Sequence, residues 1–255
     1  MSVTALVGRG LVSRASERDG RGGADRVLPV REELLPLLPW QGLRRGATVA
    51  VAAEGAPGSS SLLLALIAEA ARDGSWCAVA GVAGLGVSAA AELGIDLGRL
   101  ALVPRPGAEW MTVTAALLDG LEIVAVRPPG PIPPKLAQRL AARAKQRGSV
   151  LISYGSWAGA DVTLRVTDQT WHGLGSGRGR LRSRELAVTS HGRGSATRHR
   201  GVQMWLPARE AVAAERLPHD AAGSPASITA RAVTTARAVT TARVVMAPET
   251  VERAS

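Results

Sequence analysis

The chain has 255 residues, enough to bury one full-sized core, and its single cysteine, Cys77, excludes an internal disulfide and fits a reducing interior. Its formal net charge of +10 favours a nucleic acid or an acidic protein as partner, although a GC-rich genome would produce the same arginine excess, since only Lys135 and Lys145 are lysines. No signal peptide or membrane span is expected, because charged residues interrupt the N-terminus and every long apolar run is short or broken by glycine, so a cytoplasmic location is predicted.

Alternating strands and helices are predicted along the first two thirds of the chain. Residues 1–27 are rich in Gly, Arg, Ser and Asp and predict a flexible arm. The patterns then predict strands at 48–53, 76–80, 100–103, 121–126 and 149–153, and helices at 60–72, 86–93, 108–119 and 135–147. This alternation is typical of an α/β fold in which a mainly parallel sheet carries helices on both faces.

The pattern changes after residue 160. Strands are predicted at 161–167, 184–190 and 201–206, separated by Gly- and Arg-rich turns without helices, which indicates an antiparallel C-terminal extension of the sheet. The core is therefore expected over 28–207. Residues 208–255 hold TARAVT twice, at 229–234 and 235–240, which is too short an array for a solenoid. We expect a low-complexity tail that is disordered or docks on a partner.

Residues 49–66 have the layout of a phosphate-binding loop. An apolar strand leads into a turn of small residues, then into serines and an apolar helix. When Gly58 takes the second glycine of the Walker pattern G-x-x-x-x-G-K-[ST], Ser59 falls where the lysine would reach the β- and γ-phosphates. A serine hydroxyl carries no charge to replace that lysine. The sequence thus predicts a degenerate P-loop, made of Gly55, Gly58, Ser59, Ser60 and Ser61, in which Ser60 or Ser61 caps the helix.

Over 28–207 the order of elements resembles the RecA recombinase core. The resemblance rests on the glycine-bounded turn at 42–46, the helix end and turn at 92–100, the strand at 121–126 in the Walker B position, and a closing hairpin at 185–206. It implies that the water-activating glutamate falls near Val82 and the Walker B aspartate on Arg127. An arginine there would repel the magnesium ion. The resemblance therefore implies no enzyme activity, no nucleotide cofactor and no metal.

A smaller group within these proteins gives a closer resemblance. The two loops that thread DNA in recombinases are contracted, to a proline-rich link after residue 127 and to 154–159. The segments 39–52, 74–81 and 171–186 and the pair Glu109-Trp110 resemble the actinobacterial ImuA-type mutasome accessory proteins. This resemblance implies a non-catalytic adaptor in the SOS response to DNA damage, nucleoid-associated when active. It would act in translesion synthesis, binding an ImuB-type inactive Y-family polymerase homologue and assisting an error-prone DnaE-type polymerase.

Two other functions remain open from the sequence. They are a SulA-like cell-division inhibitor and a diverged DNA-binding RecA-type recombinase. The expected partner or DNA contact residues are Arg178, Arg180, Arg182, Arg184, Arg193, Arg198, Arg200 and Trp205. They could bind an acidic partner, make a weak contact with a phosphate backbone, or lie in solvated hairpin loops. Trp110 and Trp205 both follow polar stretches and are the tryptophans expected at an interface.

Overall fold

The computed structural model describes residues 26–53, 56–175, 178–192 and 200–207. The strands are β1 (Val27–Leu28), β2 (Leu43–Arg44), β3 (Thr48–Ala52), β4 (Cys77–Ala80), β5 (Leu100–Val103), β6 (Ile123–Val126), β7 (Val150–Tyr154), β8 (Val162–Gly175), β9 (Arg178–Gly192) and β10 (Arg200–Leu206). The helices are α1 (Ser59–Arg72), α2 (Val87–Glu92), α3 (Trp110–Gly120) and α4 (Pro134–Arg147), with 3-10 helices at Glu32–Leu37, Leu97–Arg99 and Gly107–Glu109. The predicted tail and nearly all of the predicted arm lie outside the described residues.

An eight-stranded mixed sheet organises these elements. Its strand order is β10-β9-β8-β3-β7-β6-β4-β5, while β1 and β2 pair separately. In the order of the sheet, the six strands β8, β3, β7, β6, β4 and β5 run parallel to one another. On its other side β8 pairs antiparallel with β9, and β9 pairs antiparallel with β10. The predicted α/β class is confirmed: the sheet is mostly parallel, flanked by helices, and extended by antiparallel strands.

Helices cover both faces of the parallel part because its strands are apolar on both sides. Every residue of β3, β4, β6 and β7 is buried, as parallel strands between two helical layers require. Leu62 and Leu66 of α1 pack in the same core cluster as Val49. Leu118 of α3 and Leu140 of α4 pack in the other cluster, with Val124. Neighbouring strand residues thus enter opposite layers.

Helix α4 begins one residue earlier than predicted. We expected the prolines to bar helix as far as residue 134, but Pro134 is the first helical residue. The first turn of a helix does not use its N–H groups, and a proline φ is already close to the helical value. The helix ends at Gly148, whose left-handed φ of 69° suits glycine at this position.

The β8–β9 hairpin is longer than predicted. The glycine- and arginine-rich segment between the predicted strands 161–167 and 184–190 was expected to be a turn, but β8 continues to Gly175 and β9 starts at Arg178. Trp171 pairs with Arg184, and His172 pairs with Ser183. Register shifts after Val166 and after His172 change which side chains face the core. These shifts break the period-two pattern, so the sequence did not show the strand.

The predicted interface role of Trp110 is wrong. Its exposed fraction is 9%, and it lies in the core cluster beneath α3. Trp110, Thr114 and Leu118 are the buried residues of α3, and their spacing of four places them on one helix face. Among the described residues, the longest helices, α1 and α4, have 14 residues each, and none could cross a bilayer.

Candidate functional site

The candidate site lies at the carboxyl edge of the parallel strands. From β3 the chain crosses to β4 on one side, whereas from β7 it returns to β8 on the other side. The ends of β3 and β7 therefore form a topological switch point, where open α/β sheets bind their ligands. A cleft of about 450 Å³ lies there, lined by residues that follow β3, β6 and β7.

The cleft has a cationic side chain and a proline-rich wall. Arg127 follows β6 directly and is exposed, and its guanidinium lies 5.7 Å from the ring centroid of Tyr154 at the end of β7. The link 128–132 forms the wall beside it. The backbone N–H of Arg127 donates to the carbonyl of Ala80 at 2.8 Å, which fixes the start of this link against β4. Within its described residues, the cleft therefore carries a positive charge, that of Arg127, at the position predicted for the Walker B carboxylate.

The first turn of α1 is held by groups from the sheet. Gly58 is the N-cap, with a left-handed φ of 91°, and it makes no side-chain cap. Ser59, the first helical residue, is 4% exposed, and its Oγ lies 2.9 Å from the hydroxyl of Tyr154. The prediction that Ser60 or Ser61 caps the helix is wrong, because both lie inside the first turn. Gly55 is outside the described residues.

Arg184 of β9 also reaches this turn. Its Nη2 donates to Ser61 Oγ at 2.7 Å and its Nη1 donates to Gln169 Oε1 at 3.1 Å. The guanidinium carbon lies 4.1 Å from the ring centroid of Trp171. Burial lowers the pKa of Arg184, because desolvation disfavours the charged form. The antiparallel extension is thus tied to the loop that follows β3.

The carboxylate nearest to the Walker B position in sequence lies at the opposite edge of the sheet. Glu122 precedes β6 and lies five positions before Arg127, which is about 16 Å along an extended strand. Its Oε1 accepts from Arg45 at 2.8 Å and its Oε2 accepts from the Trp76 N–H at 3.1 Å. Burial alone would raise the pKa of Glu122, but these partners outweigh it and lower the pKa below its usual value. Glu122 holds the strand starts together and does not enter the cleft.

The position of the water-activating glutamate is apolar. Val82 follows β4, is 9% exposed and belongs to the core cluster of α1. Beside it, Gly81 has φ of 79° and lies against the Arg127 carbonyl with no room for a Cβ atom. Ser59, Val82 and Arg127 therefore all follow strands at this edge, as the sequence predicted, and none of them supplies a carboxylate or an amine.

The predicted contact residues do not form one surface. Arg184 and Arg200 lie on the face of the sheet that packs on α1 and the 3-10 helix Glu32–Leu37, and Arg200 donates to the Pro36 carbonyl at 2.9 Å. Trp205 lies on the other face, where its ring contacts His172 at a centroid distance of 4.5 Å. Arg178, Arg180 and Arg182 lie on β9, and Arg193 and Arg198 are outside the described residues.

Sequence reasoning missed Tyr154 as the partner of Ser59, and Gln169 and Trp171 as partners of Arg184. Each comes from a strand far away in the chain, and the bulges of β8 hid which face Gln169 and Trp171 occupy. Tyr154 offered one signal, because it is the only tyrosine of the chain and directly follows the predicted strand 149–153. A buried tyrosine hydroxyl usually finds a hydrogen-bond partner.

One comparison with known proteins covers the strands β3 to β7, whose ends carry this cleft. Residues 36–159 match the family model described as the MT3502 N-terminal domain. The chain is also 37% identical over 109 residues to the uncharacterized protein Rv3395c of Mycobacterium tuberculosis (strain ATCC 25618 / H37Rv), which is 42% of this chain and 53% of that protein. The match thus spans about half the length of this relative. All the residues that line the cleft fall inside the segment matched by the family model, whereas β8, β9 and β10 lie beyond it. By sequence, the chain is thus similar to an MT3502 N-terminal domain and to a mycobacterial protein.

Proposed function

We propose that this chain is a non-catalytic, RecA-like adaptor in damage-induced mutagenesis. It binds an ImuB-type inactive Y-family polymerase homologue and assists an error-prone DnaE-type polymerase in translesion synthesis. The observation that carries the proposal is the residue set Ser59, Val82 and Arg127 at the carboxyl edge of the sheet. A nucleotide-hydrolysing protein would need a lysine and two carboxylates there.

The chemistry of this edge supports a non-catalytic role. Phosphoryl transfer needs a cation on the phosphates and carboxylates that hold Mg²⁺ and orient water. The Ser59 hydroxyl is hydrogen-bonded to the hydroxyl of Tyr154, so it already has a partner within the protein. Arg127 places a positive charge where the metal ligand would be. The fold is therefore retained, while the lysine and the two carboxylates that would handle phosphate, water and magnesium are replaced.

Two further observations support the RecA-like and ImuA-type parts of the proposal. The sheet combines a parallel block, a loop at its switch point and antiparallel closing strands, which is the element order on which the resemblance rests. The similar protein comes from Mycobacterium, an actinobacterium, and the ImuA-type resemblance is to actinobacterial proteins.

Direct binding to the ImuB homologue from the same genome tests the partner. We expect the immobilised homologue to retain the full chain in a surface-binding assay, and a version that ends at Pro207 to show whether residues 208–255 contribute. The matched control is a catalytically active Y-family polymerase, which should not retain the chain. If neither form binds the ImuB homologue, the adaptor proposal is wrong.

Calorimetric titration with ATP and Mg²⁺ tests the absence of catalysis separately. We expect no binding tighter than about millimolar, because the loop lacks a lysine and no carboxylate is among the described residues that line the cleft. Binding in the micromolar range, or release of phosphate above a no-protein control, would refute the non-catalytic assignment while leaving the partner experiment intact.

A further inference from the structure

Helices α3 and α4 leave a groove between them on the outer surface of the sheet's second helical layer. Both precede a strand of the parallel sheet and pack on the same face, so they run side by side in the same direction. The groove has a volume of about 440 Å³. We call it the α3–α4 groove, and its lining includes Met111, Ala115, Leu136, Arg139, Leu140 and Arg143. It is separate from the cleft at the carboxyl edge.

The floor of the α3–α4 groove is apolar. Met111 and Ala115 come from successive turns of α3, and Leu136 and Leu140 come from successive turns of α4. Met111, Ala115 and Leu136 are only half-buried, so their contacts are incomplete. On α4 the lining extends from Leu136 to Gln146, which is about 15 Å of helix. A groove of that length matches about three turns of a third helix laid along the pair.

The rim of the groove is basic. Helix α4 carries Lys135, Arg139, Arg143, Lys145 and Arg147 and has no acidic residue. Asp119 at the end of α3 accepts hydrogen bonds from Arg143 Nε at 2.8 Å and Arg147 Nε at 3.0 Å. Within the described part of the chain, no carboxylate pairs with Lys135, Arg139 or Lys145. Of these three, Arg139 lines the groove and is exposed, so its charge remains to complement a negative partner, whereas Lys145 lies against Gly46, away from the groove.

We propose that the α3–α4 groove docks an acidic amphipathic helix of a partner protein. Apolar side chains of that helix, at i, i+3, i+4 and i+7, would cover the floor, and its carboxylates would face Arg139 and its neighbours. The proposal deepens the adaptor function by naming a binding surface, and it rests on that function only in requiring a protein partner.

A nucleic acid fits this groove less well than an acidic helix does. A phosphate backbone would leave the apolar floor in contact with charged groups and water. The stabilisation gained by burying apolar surface would then be lost. The combination of an apolar floor with a basic rim favours a partner that carries both apolar and acidic side chains.

A displayed library of random 16-residue peptides, selected on the full chain, tests the proposal. We expect the selected peptides to carry Leu, Ile or Met at helical spacing together with Asp or Glu. Fluorescence anisotropy of a labelled selected peptide should show at least about tenfold weaker binding to Arg139→Glu, because attraction becomes repulsion at the rim. The matched control is Arg165→Glu, which makes the same charge change at an exposed site on β8 and should leave affinity within about twofold.

Three results of the peptide and DNA experiments would overturn the proposal. They are selected peptides without acidic residues, equal weakening by Arg139→Glu and Arg165→Glu, and competition by a labelled 20-base-pair DNA duplex whose own binding is lost in Arg139→Glu. Thermal unfolding of both variants verifies that the fold is intact. If the ImuB homologue binds Arg139→Glu as well as it binds the original chain, the groove assignment fails and the adaptor function stands. If acidic peptides bind but the ImuB homologue does not, the groove assignment stands and the adaptor function fails.

Discussion

Replacing Glu122 tests whether one buried carboxylate holds the amino edge of the sheet together. Glu122 is 7% exposed and accepts hydrogen bonds from the Arg45 side chain and the Trp76 backbone. These partners belong to the turn before β3 and the start of β4. Glu122→Ala removes at once the two carboxylate oxygens to which the Arg45 side chain and the Trp76 N–H donate.

The loss in the free energy of unfolding expected for Glu122→Ala follows from these two contacts. A hydrogen bond to a charged group contributes about 1.5–3 kcal/mol, and a buried N–H without a partner costs about 1–3 kcal/mol. The Arg45 side chain is 22% exposed, so water recovers part of the first contribution. We expect Glu122→Ala to lower the free energy of unfolding by about 3 kcal/mol, or the Tm by about 6–12 °C for a domain of this size. Glu122→Gln keeps a neutral acceptor and should cost about 1–2 kcal/mol.

Urea unfolding as a function of pH separates the charge from the packing. The folded-state pKa of Glu122 is lowered, so the ionised pair stabilises the protein above the unfolded-state pKa, about 4.3, and this stabilisation is lost as pH falls through the folded-state pKa. The difference between the original chain and Glu122→Gln should therefore be full at pH 7 and shrink below about pH 4. Glu69→Gln, at an exposed pair with Arg72, is the control and should cost less than about 0.5 kcal/mol. Equal losses at positions 69 and 122, or a pH-independent difference for Gln, would refute this reasoning.

Three further substitutions test the carboxyl edge. Tyr154→Phe leaves the buried hydroxyl of Ser59 without its partner and should lower the free energy of unfolding by about 1 kcal/mol in urea titration, whereas no loss would contradict the bond. Arg184→Lys cannot bond two acceptors while stacking on a ring, so we expect a loss of about 1–2 kcal/mol by the same measurement, and an unchanged value would contradict the role of the guanidinium. Gly81→Ala should cost at least about 2 kcal/mol in calorimetry because of its positive φ and a neighbouring carbonyl, while Gly130→Ala, with open space, should change little; equal effects would argue against the close approach.

The parallel part of the fold was predictable because its signals are local. Buried runs such as those of β3 and β6 are apolar throughout, and helix ends coincide with glycines such as Gly74 and Gly148. The positions of Ser59 and Arg127 followed from the strands that precede them. Each of these inferences needs only a short segment of sequence and a known rule of strand or helix geometry.

The contacts of the first turn of α1 and the long β8–β9 hairpin were not predictable, because they depend on residues distant in sequence. Ser59 and Tyr154 are 95 residues apart, and Ser61 and Arg184 are 123 residues apart. Arg184 was predicted as a contact residue together with the other arginines of 178–200, because arginines near aromatic residues could bind a phosphate backbone. Only the register of β9 shows that the Arg184 guanidinium points to α1. The register of β10 against β9 shows that Trp205 lies on the opposite face of the sheet.

The side chains that hold the first turn of α1 also restrict how this sequence can change. A lysine introduced at position 59 would enter a site that is 4% exposed and would forfeit the bond to Tyr154. Its ammonium would also meet Arg184 nearby, at a helix N-terminus that already repels cations. A nucleotide site therefore cannot arise by single steps without passing through less stable proteins. In laboratory evolution from this chain, gain of ATP binding should require coordinated changes at positions 59, 127, 154 and 184.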